Sequence, residues 1–207
     1  MPGRRIRCFW IEPVAKVQLG LRRYRGTGEV CSGRMGYHDA IVYTEIIERP
    51  APGRGEYEPD LEALKPPKED PRWPKNCVCQ EPFRDADQWQ LWHERIWRRV
   101  DTGEEMTIRS APAGAMWDAW WMSDCWRGPD GLSICIRLPE DGEWMVDGPA
   151  SNCNQKERPH HCWVRHGEPP NLTVDKGAPG ESCGAGAGSI QSKDFHALLV
   201  NGELIEC

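Results

Sequence analysis

ADQWQLWHERIWRRV, residues 86–100, is the stretch on which the fold class turns. Trp89, Trp92, His93, Ile96, Trp97 and Val100 follow the spacing i, i+3, i+4, i+7, i+8, i+11, which puts all six on one face of a helix. Asp85 or Asp87 can cap the N-terminus, and Arg95, Arg98 and Arg99 sit where the helix dipole favours cations. The pattern predicts a Trp-rich helix over 86–100. Its three tryptophans are expected to be core, and His93 a packed histidine rather than a metal ligand. A second, shorter helix is expected from Ala113 to about Asp124, through Met116, Trp117, Trp120 and Trp121.

Away from these helices the chain reads as short strands. Ile6, Cys8 and Trp10, then Val17, Leu19 and Leu21, alternate with the period of a half-buried strand. Pro13 is expected to interrupt that run, and Gly20 to mark a bulge or turn. Residues 40–47 are rich in β-branched side chains and predict a second strand. Residues 132–138, a Pro-Glu-Asp-Gly turn at 139–142, and residues 143–146 form a hairpin signal. Further strands are expected at 162–165, 171–174 and 195–200. Asn201-Gly202 is a turn signal leading into 203–206. The expected class is α+β, β-rich, with short antiparallel strands and hairpins beside one or two Trp-rich helices. Three regions are expected: an N-terminal β unit with a basic arm over 1–49, a Pro-rich extended connector over 50–76, and a Cys/His/Trp-rich α+β domain over 77–207.

Composition supports many turns and a lean core. The hydrophobic fraction is 39%, and Gly 21 and Pro 18 punctuate the 207 residues; the mean hydropathy is -0.68. Eleven tryptophans offset this, because each can enclose roughly 150–250 Å². A net charge of -6 argues against a general nucleic-acid binder, which carries a basic surplus. Arg4, Arg5, Arg7, Lys16, Arg22, Arg23 and Arg25 nevertheless stand against only Glu12. Nucleic acid or another acidic partner could be met through this arm alone; the plainer reading is a solvated basic face on a strand pair. No apolar run reaches the ~20 residues of a membrane span. No apolar segment follows the basic N-terminus, so no secretory leader is expected. Ten cysteines then point to thiols or metal ligation in a reducing compartment, with disulfides as the alternative for a protein working outside a cell.

Six of the ten cysteines and four of the six histidines fall between Cys125 and Cys207. Thiolate and imidazole are the ligand pair zinc prefers. Cys153, His160, His161, Cys162 and His166 form the candidate metal site, with Cys183 or His196 as a closing ligand. The expected cofactor is structural zinc or none. Cys77 and Cys79 could offer two thiolates from one side of a strand, but buried packing suits them as well. Cys183 opens a glycine-rich run, Cys-Gly-Ala-Gly-Ala-Gly-Ser, that lets a backbone approach closely. With His196 downstream it has the parts of a thiol enzyme, which needs a base and oriented N–H donors beside the thiol. Tight strand packing explains the same glycines. No Gly-Lys-Ser/Thr follows, so the run is not a phosphate-binding P-loop, and no catalytic residue is assigned.

The last ~95 residues carry a further set of pieces: Gly114-Ala-Met-Trp117, Gly128-Pro-Asp-Gly131, Glu143-Trp-Met-Val-Asp147, Ala150-Ser-Asn-Cys153, Cys162-Trp-Val-Arg-His-Gly167, Leu172-Thr-Val-Asp175 and the Cys183–Ile190 run. On these the chain resembles a group of uncharacterised proteins from tailed phages and prophages. The resemblance implies a virion component or an early protein acting in the host, located in the virion or the host cytoplasm. The expected function is a non-enzymatic virion structural or accessory protein of minor capsid, decoration or connector-associated type. It would contact other virion proteins in an oligomer or assembly. A small zinc- or thiol-dependent enzyme and a host-directed inhibitory binding protein are the alternatives.

Overall fold

The computed structural model describes residues 3–26, 31, 37–53, 56, 61–122, 126–150, 152–154, 160–185, 189–192 and 195–207. Among them the strands are β1 (Arg5–Arg7), β2 (Phe9–Arg25), β3 (His38–Glu48), β4 (Gln88–Arg99), β5 (Glu105–Thr107), β6 (Ala115–Asp118), β7 (Ile134–Arg137), β8 (Glu143–Met145), β9 (Val164–His166), β10 (Thr173–Asp175), β11 (Ser189–Ser192), β12 (Phe195–Val200) and β13 (Glu203–Glu206). The other regular elements are short 3₁₀ turns, and no α-helix occurs among the described residues. The α+β expectation is therefore corrected to a β fold. Among the described residues no helix is long and apolar enough to cross a membrane.

The helix expected over 86–100 is strand β4. As a strand it sends Trp89 and Trp92 to opposite faces, and both faces are covered. Trp89 meets Trp73 edge-on at 5.2 Å and lies 3.8 Å under the Arg23 guanidinium. On the other face Arg22 sits 5.0 Å over Trp92 and donates to Gln90 Oε1 at 3.2 Å. Arginine planes thus replace the solvent that a one-sided strand would face. The clean alternation that marks a strand is lost, and bulky residues fall by coincidence at helical spacing. Tryptophan itself is enriched in strands. β2 also needs a ladder partner along this edge, since β4 is its neighbour there. The second expected helix is likewise replaced, by β6 and a following turn in which Met122 N–H donates to Ala119 O. The end of that expected helix, at Asp124, lies outside the described residues.

The chain divides into two compact units, with β2 and β4 running through both. One comprises Pro13–Gly53 and Tyr57–Ile96. In it β2 and β3 pair antiparallel from Lys16↔Glu48 to Arg25↔His38, with a register shift between Gln18 and Gly20. The extra residue is on β3, where Thr44 and Glu45 stand opposite Leu19; Gly20 pairs with Tyr43 beside this bulge, and a Cβ on it would come within 2.9 Å of Ile41 Cγ2. β2 continues straight through Pro13, contrary to the expected break. Val17, Leu19, Leu21, Leu61, Trp73 and Leu91 form the core. Leu61 and Trp73 come from the Pro-rich segment, and Trp73 Nε1–H donates to Pro67 O at 2.9 Å. Buried Arg95 donates to the carbonyls of Val14, Arg49 and Pro50. Arg22 is bound to Asp39 and Arg25 to Asp87 and Glu81. These arginines of the basic arm are committed within the unit rather than forming a solvated face.

The other unit comprises Met1–Glu12, Arg54–Glu56 and Trp97–Cys207. β6, β7 and β8 form an antiparallel meander, and the start of β2 joins β6 in parallel. Met116, Ile134 and Ile136 face one core cluster, while Trp117 and Cys135 face another, with Phe9, Ile11 and Trp97. The meander is covered on both sides, which is why β7 is buried at every position. The 132–146 hairpin forms as read from the sequence, with positive φ at Glu140 rather than at Gly142. β1, β13, β12 and β11 make a second sheet, in that order. Asn201 and Gly202 turn between β12 and β13 with φ of 47° and 70°, as a tight hairpin requires. β9 and β10 form a separate antiparallel ribbon.

Candidate metal centres

Two groups of four ligands each bring one histidine and three cysteines together, with all ligand atoms within 4.8 Å of one another. Each group lies inside one unit. The first is Cys153, His160, Cys162 and Cys183. The β9–β10 ribbon assembles it, because pairing Val164 with Asp175 brings the chain before β9 beside the chain after β10. Cys183 N–H then donates to His161 O at 2.8 Å, and Cys153 N–H donates to Ala150 O at 3.0 Å. His160 Nε2 lies 3.0 Å from Cys153 Sγ and 3.5 Å from Cys162 Sγ. Cys153 Sγ lies 3.9 Å from Cys183 Sγ.

Four of the seven residues expected at this site are thus brought together, and three are not. His161 contributes its main-chain carbonyl while its side chain is exposed. His166 pairs at the surface with Asp175, Nε2 to Oδ1 at 3.2 Å. His196 lies on the exposed face of β12 opposite Gln191, so it supplies no base to Cys183 in this cluster. Part of the glycine-rich run, residues 186–188, lies outside the described residues, as does Cys125.

The second group is Cys31, His38, Cys77 and Cys79. Cys77 and Cys79 are the thiolate pair offered by the sequence, and Cys31 and His38 join them only in the fold. The signal was a Cys and a His seven residues apart, ahead of a Cys-x-Cys. Nothing local links Cys31 to Cys77, 46 positions away, yet their sulfurs are 3.7 Å apart. A tight turn presents Cys77 and Cys79, with Gln80 N–H donating to Cys77 O, Cys77 N–H to Glu81 O, and Gln80 at φ 76°. Val78 N–H donates to Asp39 O, and Asp39 N–H to Cys77 Sγ at 3.3 Å, which ties this turn to the start of β3. His38 Nδ1 is 3.4 Å from Cys79 Sγ.

These distances fit one tetrahedral ion. With Zn–S near 2.3 Å and Zn–N near 2.05 Å, a tetrahedron has S···S edges of about 3.8 Å and S···N edges of about 3.6 Å. The sulfur pairs at 3.7 and 3.9 Å match the S···S edge, and the imidazole–sulfur pairs at 3.0–3.5 Å lie somewhat inside the S···N edge. Among the described residues the cysteines carry no disulfide. Burial pushes the Cys162 thiol up to about 11, and a coordinated cation reverses this by deprotonating the thiol. The Cys79 thiol is held below its ordinary range, chiefly by a hydrogen bond from the Glu81 backbone. Cys8 and Cys135 are different: burial pushes both up to about 12, and neither belongs to a cluster. They are packing thiols.

No family model, curated protein or solved structure matches this chain. The two ligand clusters therefore carry the functional reading.

Proposed function

We propose that the protein is a non-enzymatic, zinc-stapled β protein that makes protein–protein contacts, as an accessory component of a phage particle of minor capsid, decoration or connector type. The observation that carries the non-enzymatic part is the closed ligand set: each cluster supplies four protein ligands. Structural zinc is four-coordinate with protein alone, whereas catalytic zinc keeps one position for water or substrate. A chain of lean hydrophobic content benefits from such staples, because metal-binding free energy adds directly to folding free energy. The particle assignment rests on the resemblance of the C-terminal stretch to tailed-phage proteins. Val42 and Ile46, exposed at 41% and 56% on β3, supply apolar surface of the kind protein contacts use.

Elemental analysis of the native protein tests the staple, with two zinc ions per chain expected. Cobalt substitution should give a tetrahedral thiolate spectrum that added azide or cyanide leaves unchanged. A spectrum that shifts with these ligands would mean an open position and would favour a zinc enzyme. The particle role requires the protein in purified virions; its presence solely in infected-cell lysate would remove that part.

A further inference from the structure

The environment of His38 goes beyond ligand proximity. Its ring lies between the Cys31/Cys77/Cys79 sulfurs and a carboxylate. Nδ1 faces Cys79 Sγ at 3.4 Å, while Nε2 faces Glu81 Oε2 at 3.3 Å. The other oxygen of Glu81 accepts from Arg25 Nη1 at 2.7 Å. Arg25 in turn is held by Asp87 through Nε at 3.0 Å and Nη2 at 3.1 Å. The register of the β2–β3 ladder makes this chain possible, because Arg25 and His38 are directly opposite. Glu81 is two residues past Cys79, so the turn that presents the thiolates also presents the carboxylate.

We infer that Glu81 is the positioning residue of the Cys31/His38/Cys77/Cys79 metal site, holding the Nε2 proton of His38 so that Nδ1 is the ligand atom. The inference rests on the reading of the two clusters as metal staples. A metal-bound imidazole donates its remaining N–H to a carboxylate or carbonyl, which fixes the tautomer and ring orientation. On binding a divalent cation the three thiols lose their protons and His38 keeps the one on Nε2. The ion and three thiolates then carry a net charge of about -1, while Arg25 and Arg84 stand against the carboxylates of Glu81 and Asp87. In the other site the geometry is opposite: Nε2 of His160 faces Cys153 and Cys162. The two staples therefore use different ring nitrogens.

Loading the protein with ¹¹³Cd and recording ¹⁵N couplings on the histidine rings tests this without a variant. Coupling is expected to Nδ1 of His38 and to Nε2 of His160. Coupling to Nε2 of His38 would overturn the inference while leaving the staple reading intact; failure of either histidine to bind cadmium or zinc would instead remove the staple reading. Replacing the carboxylate gives the second arm, read by chelator competition. Glu81→Ala should lower affinity at the His38 site about 10–100-fold and leave the His160 site unchanged. Glu81→Gln, whose amide oxygen still accepts from Nε2–H, should recover most of that loss. Affinity within twofold of the native protein for Glu81→Ala would overturn the positioning role.

Discussion

If the clusters are staples, thermal stability must follow free zinc, and the size of the effect can be worked out. Eight ligands in two closed sets hold at most two ions. A site that binds only the folded state contributes RT ln(1 + [M]/Kd), about 2.7 kcal/mol at one hundred times Kd and about 4.1 kcal/mol at a thousand times. Two sites then supply about 5–8 kcal/mol, comparable with the whole folding free energy of about 5–15 kcal/mol for ordinary domains. For a chain of this size 1 kcal/mol moves Tm by about 2–4 °C. Raising free zinc from Kd to one hundred times Kd adds about 2.3 kcal/mol and should therefore raise the unfolding midpoint by about 5–9 °C per site. The assay is a set of calorimetric melts in metal buffers, with the slope of Tm against the logarithm of free zinc as the readout. Cys162→Ser and Cys77→Ser should each remove one site's share of that slope, because each takes one ligand from a different cluster. A native midpoint that stays within about 2 °C over the range, where the linkage requires several times more, would refute the reasoning.

Three further outcomes follow from the packing. Trp97 is buried and stacks on Trp120 at 5.3 Å, so Trp97→Ala should cost about 3–5 kcal/mol; Trp121→Ala, at a half-exposed ring, should cost at most about 1.5 kcal/mol, both by denaturant unfolding. Asp147 lies buried beside Arg165, and burial pushes its carboxyl up to about 6 from an ordinary 3.8. Its protonated form therefore contributes stability below pH ~4 that is lost as pH rises through about 6, at most about 3 kcal/mol. Asp147→Asn should gain on the native protein by up to that amount between pH 4 and 7, and a pH-independent difference would contradict this. Gly202 has φ 70°, and a Cβ there would lie 2.4 Å from Pro170 O; Gly103 has φ 77° with nothing within 4 Å. Gly103→Ala should cost about 1 kcal/mol, and Gly202→Ala distinctly more, measured by the same melts.

Local sequence determined the parts whose partners lie close along the chain. The 132–146 hairpin, the 195–206 hairpin with its Asn201-Gly202 turn, the ladder irregularity beside Gly20 and three of the four ligands near residue 160 were legible because turn chemistry and period-two patterning act over a few residues. Cys183 was legible only as one of two possible closers. The β9–β10 ribbon selected it and left His196 on an outer face. Tertiary structure alone decided two things. It made residues 88–99 a strand, because β2 supplies a ladder and arginine planes that cover both faces, and no local pattern encodes that. It also built the second centre, because Cys31 meets Cys77 only after β3 pairs with β2 and the Cys77 turn docks on Asp39. Periodicity reports what one segment does alone; ligand geometry depends on which distant segments share a ladder.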